Sequence, residues 1–120
     1  NAIANNVWAK SLEAKDILVS VMPFFHSYGL TVGMNTPIAN SLTAILIPNP
    51  RDLQHVLMAI AKHRATFYPG VPTMVVGMNN FPEIKKYDLS SLRYPHPFAL
   101  FQEEPVIIPG NKTNLLALRF

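Results

Sequence analysis

The residues best suited to chemistry in this sequence follow an apolar segment that ends at Met22. Pro23 closes that segment, and two phenylalanines, a histidine, a serine, a tyrosine and a glycine come next. The imidazole of His26 can donate or accept a hydrogen bond, and aromatic rings such as Phe24 and Tyr28 are typical of pockets for apolar ligands. The stretch therefore predicts the wall of a binding pocket, in which His26 contacts a polar group of the ligand.

Each of these side chains also has a plainer interpretation. A histidine in a turn between a strand and a helix often does no more than hydrogen-bond to backbone groups. Aromatic side chains at strand ends are more often part of the hydrophobic core than of a binding site. Spacing alone leaves both interpretations of Phe24, Phe25, His26 and Tyr28 open.

Other kinds of catalytic or metal site find little support. His55 and His63 are eight positions apart, whereas two imidazoles on a helix share a metal when about one turn separates them. Ser27 adjoins His26, but no carboxylate is placed to orient the ring. Residues 109–113 resemble the end of a phosphate-binding loop without its upstream glycine, and the absence of cysteine excludes disulfides and thiolate sites. We predict no catalytic residue and no metal site within the chain.

The composition indicates a piece of a larger fold. Charged residues make up 14% of the chain, whereas about 25% is usual for a soluble domain that covers its own surface. The net charge of +3 is scattered and forms no basic stripe, which argues against nucleic-acid binding. Residues 1–10 do not resemble a signal peptide, and no apolar run is long enough to span a membrane. We therefore predict a cytoplasmic chain that at most makes peripheral contact with a membrane.

The apolar pattern predicts an α/β fold. Buried strands are predicted over residues 17–22, 43–47 and 65–68. Helices are predicted over 2–14, over 28–41 with a kink at Pro37, and over 73–79. A further helix is predicted from the cap Asp52 onward, with an apolar stripe of Leu53, Val56, Leu57 and Ile60 that faces the core. Strands that alternate with helices in this way pair in parallel, so we expect a partial parallel sheet with helices on both faces.

Parallel pairing brings the carboxyl ends of the strands to one edge of the sheet, and open parallel sheets bind ligands outside that edge. Residues 24–28 follow the first predicted strand, and residues 69–72 follow the third. We expect the two segments to project into one crevice.

Three motifs occur in an order and spacing that identify a family. They are VMPFFHSYGLTVGMN at residues 21–35, ATFYPGVPTM at 65–74 and KKYDLSSLR at 85–93. Together they resemble the AMP-forming acyl-CoA synthetases of the adenylate-forming ligase superfamily, most closely the long-chain fatty-acid–CoA ligase branch. The resemblance implies a piece of the large N-terminal domain of an adenylate-forming enzyme.

Enzymes of that family join a carboxylate to ATP, release pyrophosphate and pass the acyl group to coenzyme A. The resemblance implies a fatty acid or other small carboxylate as substrate, and ATP, Mg²⁺ and coenzyme A as cofactors of the parent enzyme. None of these cofactors is predicted for this chain alone. The implied acyl-pocket residues are His26, Tyr28, Gly29, Val71, Pro72 and Thr73.

Several motifs of the family have no counterpart here, among them its phosphate loop, its ribose-binding aspartate and its catalytic lysine. The similarity stops at Tyr94, which predicts a ligase segment over residues 1–94 and a divergent tail over 95–120, as a frameshift or an aberrant junction would produce. Whether the chain is itself an enzyme stays open.

The predicted function is that of a fragment of an AMP-forming fatty acid–CoA ligase, which contributes acyl-pocket residues and is inactive alone. The remainder of the ligase domain is the expected partner. Two alternatives stay open: a non-catalytic module that binds an apolar ligand or a protein, and a fragment of a luciferase-like enzyme or a peptide-synthetase adenylation domain.

Overall fold

The computed structural model describes residues 12–95, which form a four-stranded parallel sheet. The strands are β1 (Ile17–Ser20), β2 (Thr43–Leu46), β3 (Phe67–Tyr68) and β4 (Tyr94–Pro95). Their order across the sheet is β2-β1-β3-β4. The predicted α/β class is confirmed, and β4 is a strand that the sequence did not predict.

The helical segments alternate with these strands. A π-helical segment, Gly29–Asn35, continues into the short helix α1, Thr36–Ala39. Helix α2 is Leu53–His63, α3 is Pro72–Asn79, and a 3₁₀ turn covers Ile84–Lys86. The predicted helix over 2–14 lies outside the described residues except for residues 12–14, which are not helical. The predicted tail beyond Pro95 and the loop-like sequence at 109–113 also lie outside them.

Helices cover both faces of the sheet, as predicted. Successive side chains of a strand point to opposite faces. Ser20 of β1 faces the π-helical segment, because a Cβ built on Gly33 would lie 2.4 Å from Ser20 Oγ. Val19 belongs instead to the core cluster that includes Val56 and Ile60 of α2. The handedness of the connections leads to the same conclusion. The connection from β1 to β2 and the connection from β2 to β3 run in opposite directions across the sheet, so right-handed crossovers place their helices on opposite faces.

Residues 43–46 form the predicted strand β2, but the prediction that this strand is buried is wrong. Thr43, Ala44 and Leu46 of β2 are exposed, and Leu46 keeps 57% of its accessible surface. Ile47 is buried but lies beyond the end of the strand. The physical reason is the position of β2 at the edge of the described sheet, where β1 is its pairing partner.

The segment predicted as one helix over 28–41 is helical but changes type along its length. In the π-helical part the backbone N–H of Thr36 donates to the carbonyl of Thr31, and the Thr36 hydroxyl donates to the same oxygen at 3.0 Å. This wider turn ends directly before Pro37, whose ring would collide with a carbonyl of the preceding turn in a regular α-helix. The distortion expected at Pro37 therefore takes the form of a π-helical turn.

The helix predicted from Asp52 is α2, and its local signals all agree. The Asp52 carboxylate accepts a hydrogen bond from the backbone N–H of His55 at 3.0 Å. Arg64 ends the helix in the left-handed conformation with φ of 50°. The predicted apolar stripe packs into the core with three fully buried members, Val56, Leu57 and Ile60.

We expect Asp52→Ala to lower the free energy of unfolding by about 1 kcal/mol, because the His55 N–H loses its acceptor at the start of α2. Urea unfolding followed by far-UV circular dichroism measures this loss. Asp52→Asn keeps a capping oxygen and should stay close to the unmodified chain. An equal loss in both variants would contradict the capping role.

A hydrogen-bonded network joins the amino ends of three strands. The carboxylate of Asp16 is fully buried and accepts hydrogen bonds from Thr66 Oγ1 at 2.7 Å and from the Glu13 N–H at 2.8 Å. Asp16 also forms an ion pair with Arg93, and Thr66 Oγ1 accepts from the Ile17 N–H at 3.0 Å. Because Asp16, Thr66 and Arg93 precede β1, β3 and β4, the network aligns these strands. The sequence did not predict it.

Candidate functional site

The predicted crevice coincides with a change of direction in the strand order. From β1 the chain crosses to β2 on one side, whereas β3 leads to β4 on the other side. The connections that leave β1 and β3 therefore lie on opposite faces, and the gap between their carboxyl ends is the topological switch point of the sheet. Residues 21–28 leave β1 at this point, and residues 69–71 leave β3.

Among the described residues, the segments that leave β1 and β3 at the carboxyl edge of the sheet carry no charged side chain. Residues 17–50 and 65–82 contain no aspartate, glutamate, lysine or arginine. The amino edge, by contrast, carries ion pairs between Arg93 and Asp16 and between Arg64 and Asp88. A site at the carboxyl edge therefore suits an apolar ligand with uncharged polar groups.

The turn that leaves β1 is held by His26. Its backbone N–H donates to the carbonyl of Pro23 at 3.0 Å, and its carbonyl accepts from the Leu30 N–H at 2.9 Å. The ring Nδ1 accepts from the Tyr28 N–H at 3.2 Å, so the neutral ring carries its proton on Nε2. The plainer interpretation of His26, that its ring bonds to backbone groups in a turn, thus holds for Nδ1. The ring is exposed.

Gly29 packs against the same turn so closely that a side chain does not fit. A Cβ built on Gly29 would lie 2.1 Å from the carbonyl oxygen of Pro23 and 2.9 Å from that of Met22. Both are backbone atoms, which cannot move aside as the end of a flexible side chain can. Glycine is therefore required here by the close approach of the helix to the end of the strand.

Two tyrosines lie on the loop and strand on either side of the switch point. Burial raises the pKa of Tyr28 to about 12. Burial also raises the pKa of Tyr68, the last residue of β3, and the nearby Tyr28 phenol adds to that increase. Both side chains therefore remain protonated hydrogen-bond donors at neutral pH. The hydroxyl of Tyr68 is buried without a hydrogen-bond partner among residues 12–95.

The predicted residues after β3 open helix α3. Val71 has an extended backbone, and its carbonyl accepts from the N–H groups of Met74 at 2.9 Å and Val75 at 3.3 Å. Val71 and Pro72 are half-buried, and Thr73 is exposed. These three residues lie at the carboxyl end of β3, on the side of the switch point opposite His26 and Tyr28.

An open groove beside β2 at this edge was not predicted. It has a volume of about 570 Å³, lies between the carboxyl ends of β1 and β2, and is lined by residues 20–25, Leu46, Ile47, Pro48 and Pro50. Phe24 and Phe25 belong to this groove, and Phe25 is 94% exposed. His26 and Tyr28 are not among its lining residues. The aromatic stretch that was predicted as one group is therefore divided, because Phe24 and Phe25 line the groove and Tyr28 does not.

Comparison with known proteins agrees with this architecture. The family model for AMP-binding enzymes matches residues 1–114. The chain belongs to the AMP-binding enzyme family.

Several relatives and solved structures within this family are similar to the chain. A long-chain-fatty-acid–CoA ligase from Bacillus subtilis (strain 168) is 41% identical over 81 residues, which is 68% of this chain and 14% of that protein. The 4-coumarate–CoA ligase 3 of Arabidopsis thaliana is 33% identical over 86 residues, 69% of this chain and 15% of that protein. The N-terminal domain of FACL13 from Mycobacterium tuberculosis, crystallised with an inhibitor, superposes with a TM-score of 0.67 at 27% identity, over 76% of this chain and 23% of that chain. The predicted resemblance to acyl-CoA ligases is confirmed, and the chain spans less than a fifth of the length of these two curated relatives.

The described segment offers neither a cluster of metal ligands nor a cation within residues 17–50 and 65–82. Within residues 12–95 no group of three histidine, aspartate or glutamate side chains could hold a metal ion. The uncharged carboxyl edge also offers no lysine or arginine to the phosphates of ATP over 17–50 and 65–82. None of the helices within residues 12–95 could span a lipid bilayer.

Proposed function

We propose that this chain forms the acyl-binding side of the large domain of an AMP-forming acyl-CoA ligase that acts on a fatty acid or another small carboxylate. The observation that carries the proposal is the uncharged switch point between β1 and β3, where residues of two of the family motifs leave the strands. Such a crevice suits an acyl chain. The names of the Bacillus and Arabidopsis relatives, a long-chain fatty-acid ligase and a 4-coumarate ligase, support an acyl substrate.

In this proposal the six predicted residues border the acyl group from two sides. His26 offers its Nε2–H at the mouth of the site, and Tyr28 contributes an aromatic wall. Gly29 allows the turn and the helical segment to pack together. Val71, Pro72 and Thr73 border the acyl channel from the start of α3.

Adenylation itself is assigned to the remainder of the ligase domain. ATP, Mg²⁺ and coenzyme A would bind there, because the described carboxyl edge lacks the cations and carboxylates that phosphates and Mg²⁺ require. The exposed edge strand β2 is where that remainder would continue the sheet. The chain alone would be inactive, and the parent enzyme would be cytoplasmic.

We expect the purified chain to bind dodecanoate saturably without ATP and to show no ATP–pyrophosphate exchange above background. Isothermal titration calorimetry measures the binding, and radiolabelled pyrophosphate measures the exchange. Tyr28→Ala should weaken binding by about tenfold through loss of the aromatic wall. Lys86→Ala is the control, because Lys86 lies in the 3₁₀ turn and pairs with Glu83. Exchange above background would refute the inactivity, and the absence of any binding would refute the acyl pocket.

A further inference from the structure

The hydroxyl of Tyr68 is a buried polar group that the proposed function does not yet use. Tyr68 is 1% exposed, and its hydroxyl has no hydrogen-bond partner among the described residues. Buried hydroxyl groups are nearly always paired, because an unpaired one loses its bonds to water without replacement. The unpaired hydroxyl therefore requires an explanation.

The position of this hydroxyl is defined by Gly70. A Cβ built on Gly70 would lie 2.4 Å from Tyr68 Cε1 and 3.0 Å from the Tyr68 hydroxyl oxygen. The ring therefore lies along the backbone of the loop that leaves β3, with its hydroxyl at the carboxyl edge of the sheet. Tyr28, on the loop that leaves β1, is close enough to influence the ionisation of Tyr68. The unpaired hydroxyl thus lies at the switch point.

The surroundings restrict the chemistry of a partner. A protonated phenol donates one hydrogen bond, so its proton is satisfied only by an acceptor. A carboxylate or a phosphate would lose its hydration at this depth without a cation to compensate, because residues 17–50 and 65–82 carry no charged side chain. The partner is therefore an uncharged oxygen, such as that of a ketone, an ether or a hydroxyl group.

We propose that Tyr68 determines substrate specificity by donating a hydrogen bond to an uncharged oxygen within the body of the acyl group. The inference rests on the proposed function, since it places the acyl group at this switch point. A plain hydrocarbon chain would leave the hydroxyl unpaired, whereas an oxygenated chain would satisfy it, and sites of this kind discriminate against the analogue that lacks the polar group. The half-buried Tyr28 side chain would border the ligand from the loop that leaves β1.

A ketone scan tests this assignment. Dodecanoate and a series of oxododecanoates, in which one ketone is moved along the chain, are titrated by calorimetry into the full chain and into Tyr68→Phe. A ketone accepts but does not donate, so it isolates the donor role of the phenol. We expect one ketone position to bind about fivefold to tenfold more tightly than dodecanoate in the unmodified chain. In Tyr68→Phe that preference should be lost, with dodecanoate bound at least as well as before.

Two controls separate recognition from folding. Tyr68→Phe removes an unpaired hydroxyl and keeps the ring, so its unfolding midpoint should equal or exceed that of the unmodified chain. Tyr87→Phe removes a hydroxyl from the ring that packs near Phe81, with a centroid distance of 6.4 Å, and should keep the ketone preference. With ¹³C-labelled tyrosine, the Cζ resonance that disappears in Tyr68→Phe should shift when the preferred oxododecanoate is added and stay in place with dodecanoate.

The outcomes distinguish this inference from the proposed function. If dodecanoate binds but the ketone scan is flat, or if the preference persists in Tyr68→Phe, the role of Tyr68 is refuted and the acyl pocket stands. A destabilised Tyr68→Phe would show that the hydroxyl already has a partner within the folded chain, which also refutes the inference. If no carboxylate in the series binds, the proposed function fails and this inference fails with it.

Discussion

Asp16→Ala is expected to lower the free energy of unfolding by about 3 kcal/mol at neutral pH. The substitution removes hydrogen bonds from the Glu13 N–H and the Thr66 hydroxyl and the ion pair with Arg93, each of which contributes about 1 kcal/mol net. The Arg93 side chain is 41% exposed and can return to water, which keeps the loss below that of a fully buried pair. Urea unfolding followed by circular dichroism gives the measurement.

The same carboxylate should make stability depend on acid. Burial alone would raise the pKa of Asp16, but the hydrogen bonds from Glu13, Thr66 and Arg93, together with the charge of Arg93, bring it below the ordinary value of 3.8. A carboxyl group whose pKa is lower in the folded state stabilises the fold above its unfolded pKa, and this contribution is lost as the pH falls through the folded pKa. Stability should therefore decline below the ordinary value of 3.8, and the decline should be shallower in Asp16→Asn.

Asp88 provides the matched control for both measurements. The hydrogen bonds from Ser90, and then the Arg64 ion pair, lower the pKa of Asp88, so this carboxylate also contributes to the acid dependence. Asp88 is exposed, however, and exposed ion pairs add little to stability. Asp88→Asn should leave the neutral-pH stability nearly unchanged. Similar losses in Asp16→Ala and Asp88→Asn would refute the role assigned to the buried network.

The features that the sequence predicted correctly are those decided by neighbouring residues. The cap at Asp52, the apolar stripe of α2 and the buried run of β1 each depend on side chains within one or two helical turns or along a single strand. The Asp16 network was missed because its partners are remote, with Thr66 lying 50 positions away along the chain. No local pattern connects such residues.

The candidate site was also predicted only in part, and for the same reason. Strand ends are local features, so the two segments at residues 24–28 and 69–72 could be placed at one edge of the sheet. The strand order is not local, and it decides that Tyr28 comes close enough to influence Tyr68, whereas Phe24 and Phe25 line a groove beside β2. The unpaired hydroxyl of Tyr68 depends on the same order, since Tyr28 and Gly70 border it only when β1 and β3 are neighbours.

Gly29→Ala is expected to lower the free energy of unfolding by about 3 kcal/mol or more and to weaken acyl binding. The new methyl group would lie 2.1 Å from the Pro23 carbonyl oxygen and 2.8 Å from its carbon. Relief requires the backbone of the turn to separate from the helical segment, which would break the hydrogen bond from the Leu30 N–H to the His26 carbonyl. Because His26 and Tyr28 lie on this turn, the stability and the site should be lost together. Urea unfolding and titration with dodecanoate measure the two effects.

Gly77→Ala makes the same chemical change where the neighbour can yield. A Cβ on Gly77 would lie 3.1 Å from Leu53 Cδ1, the end of a flexible side chain. Gly77 also lies within α3, where alanine is favoured over glycine by up to about 1 kcal/mol. We expect this variant to stay within about 1 kcal/mol of the unmodified chain, because the helix propensity offsets the contact. Equal effects of the two substitutions would mean that the turn after β1 is not closely packed against the helical segment, and Gly29 would lose its assigned role in shaping the site.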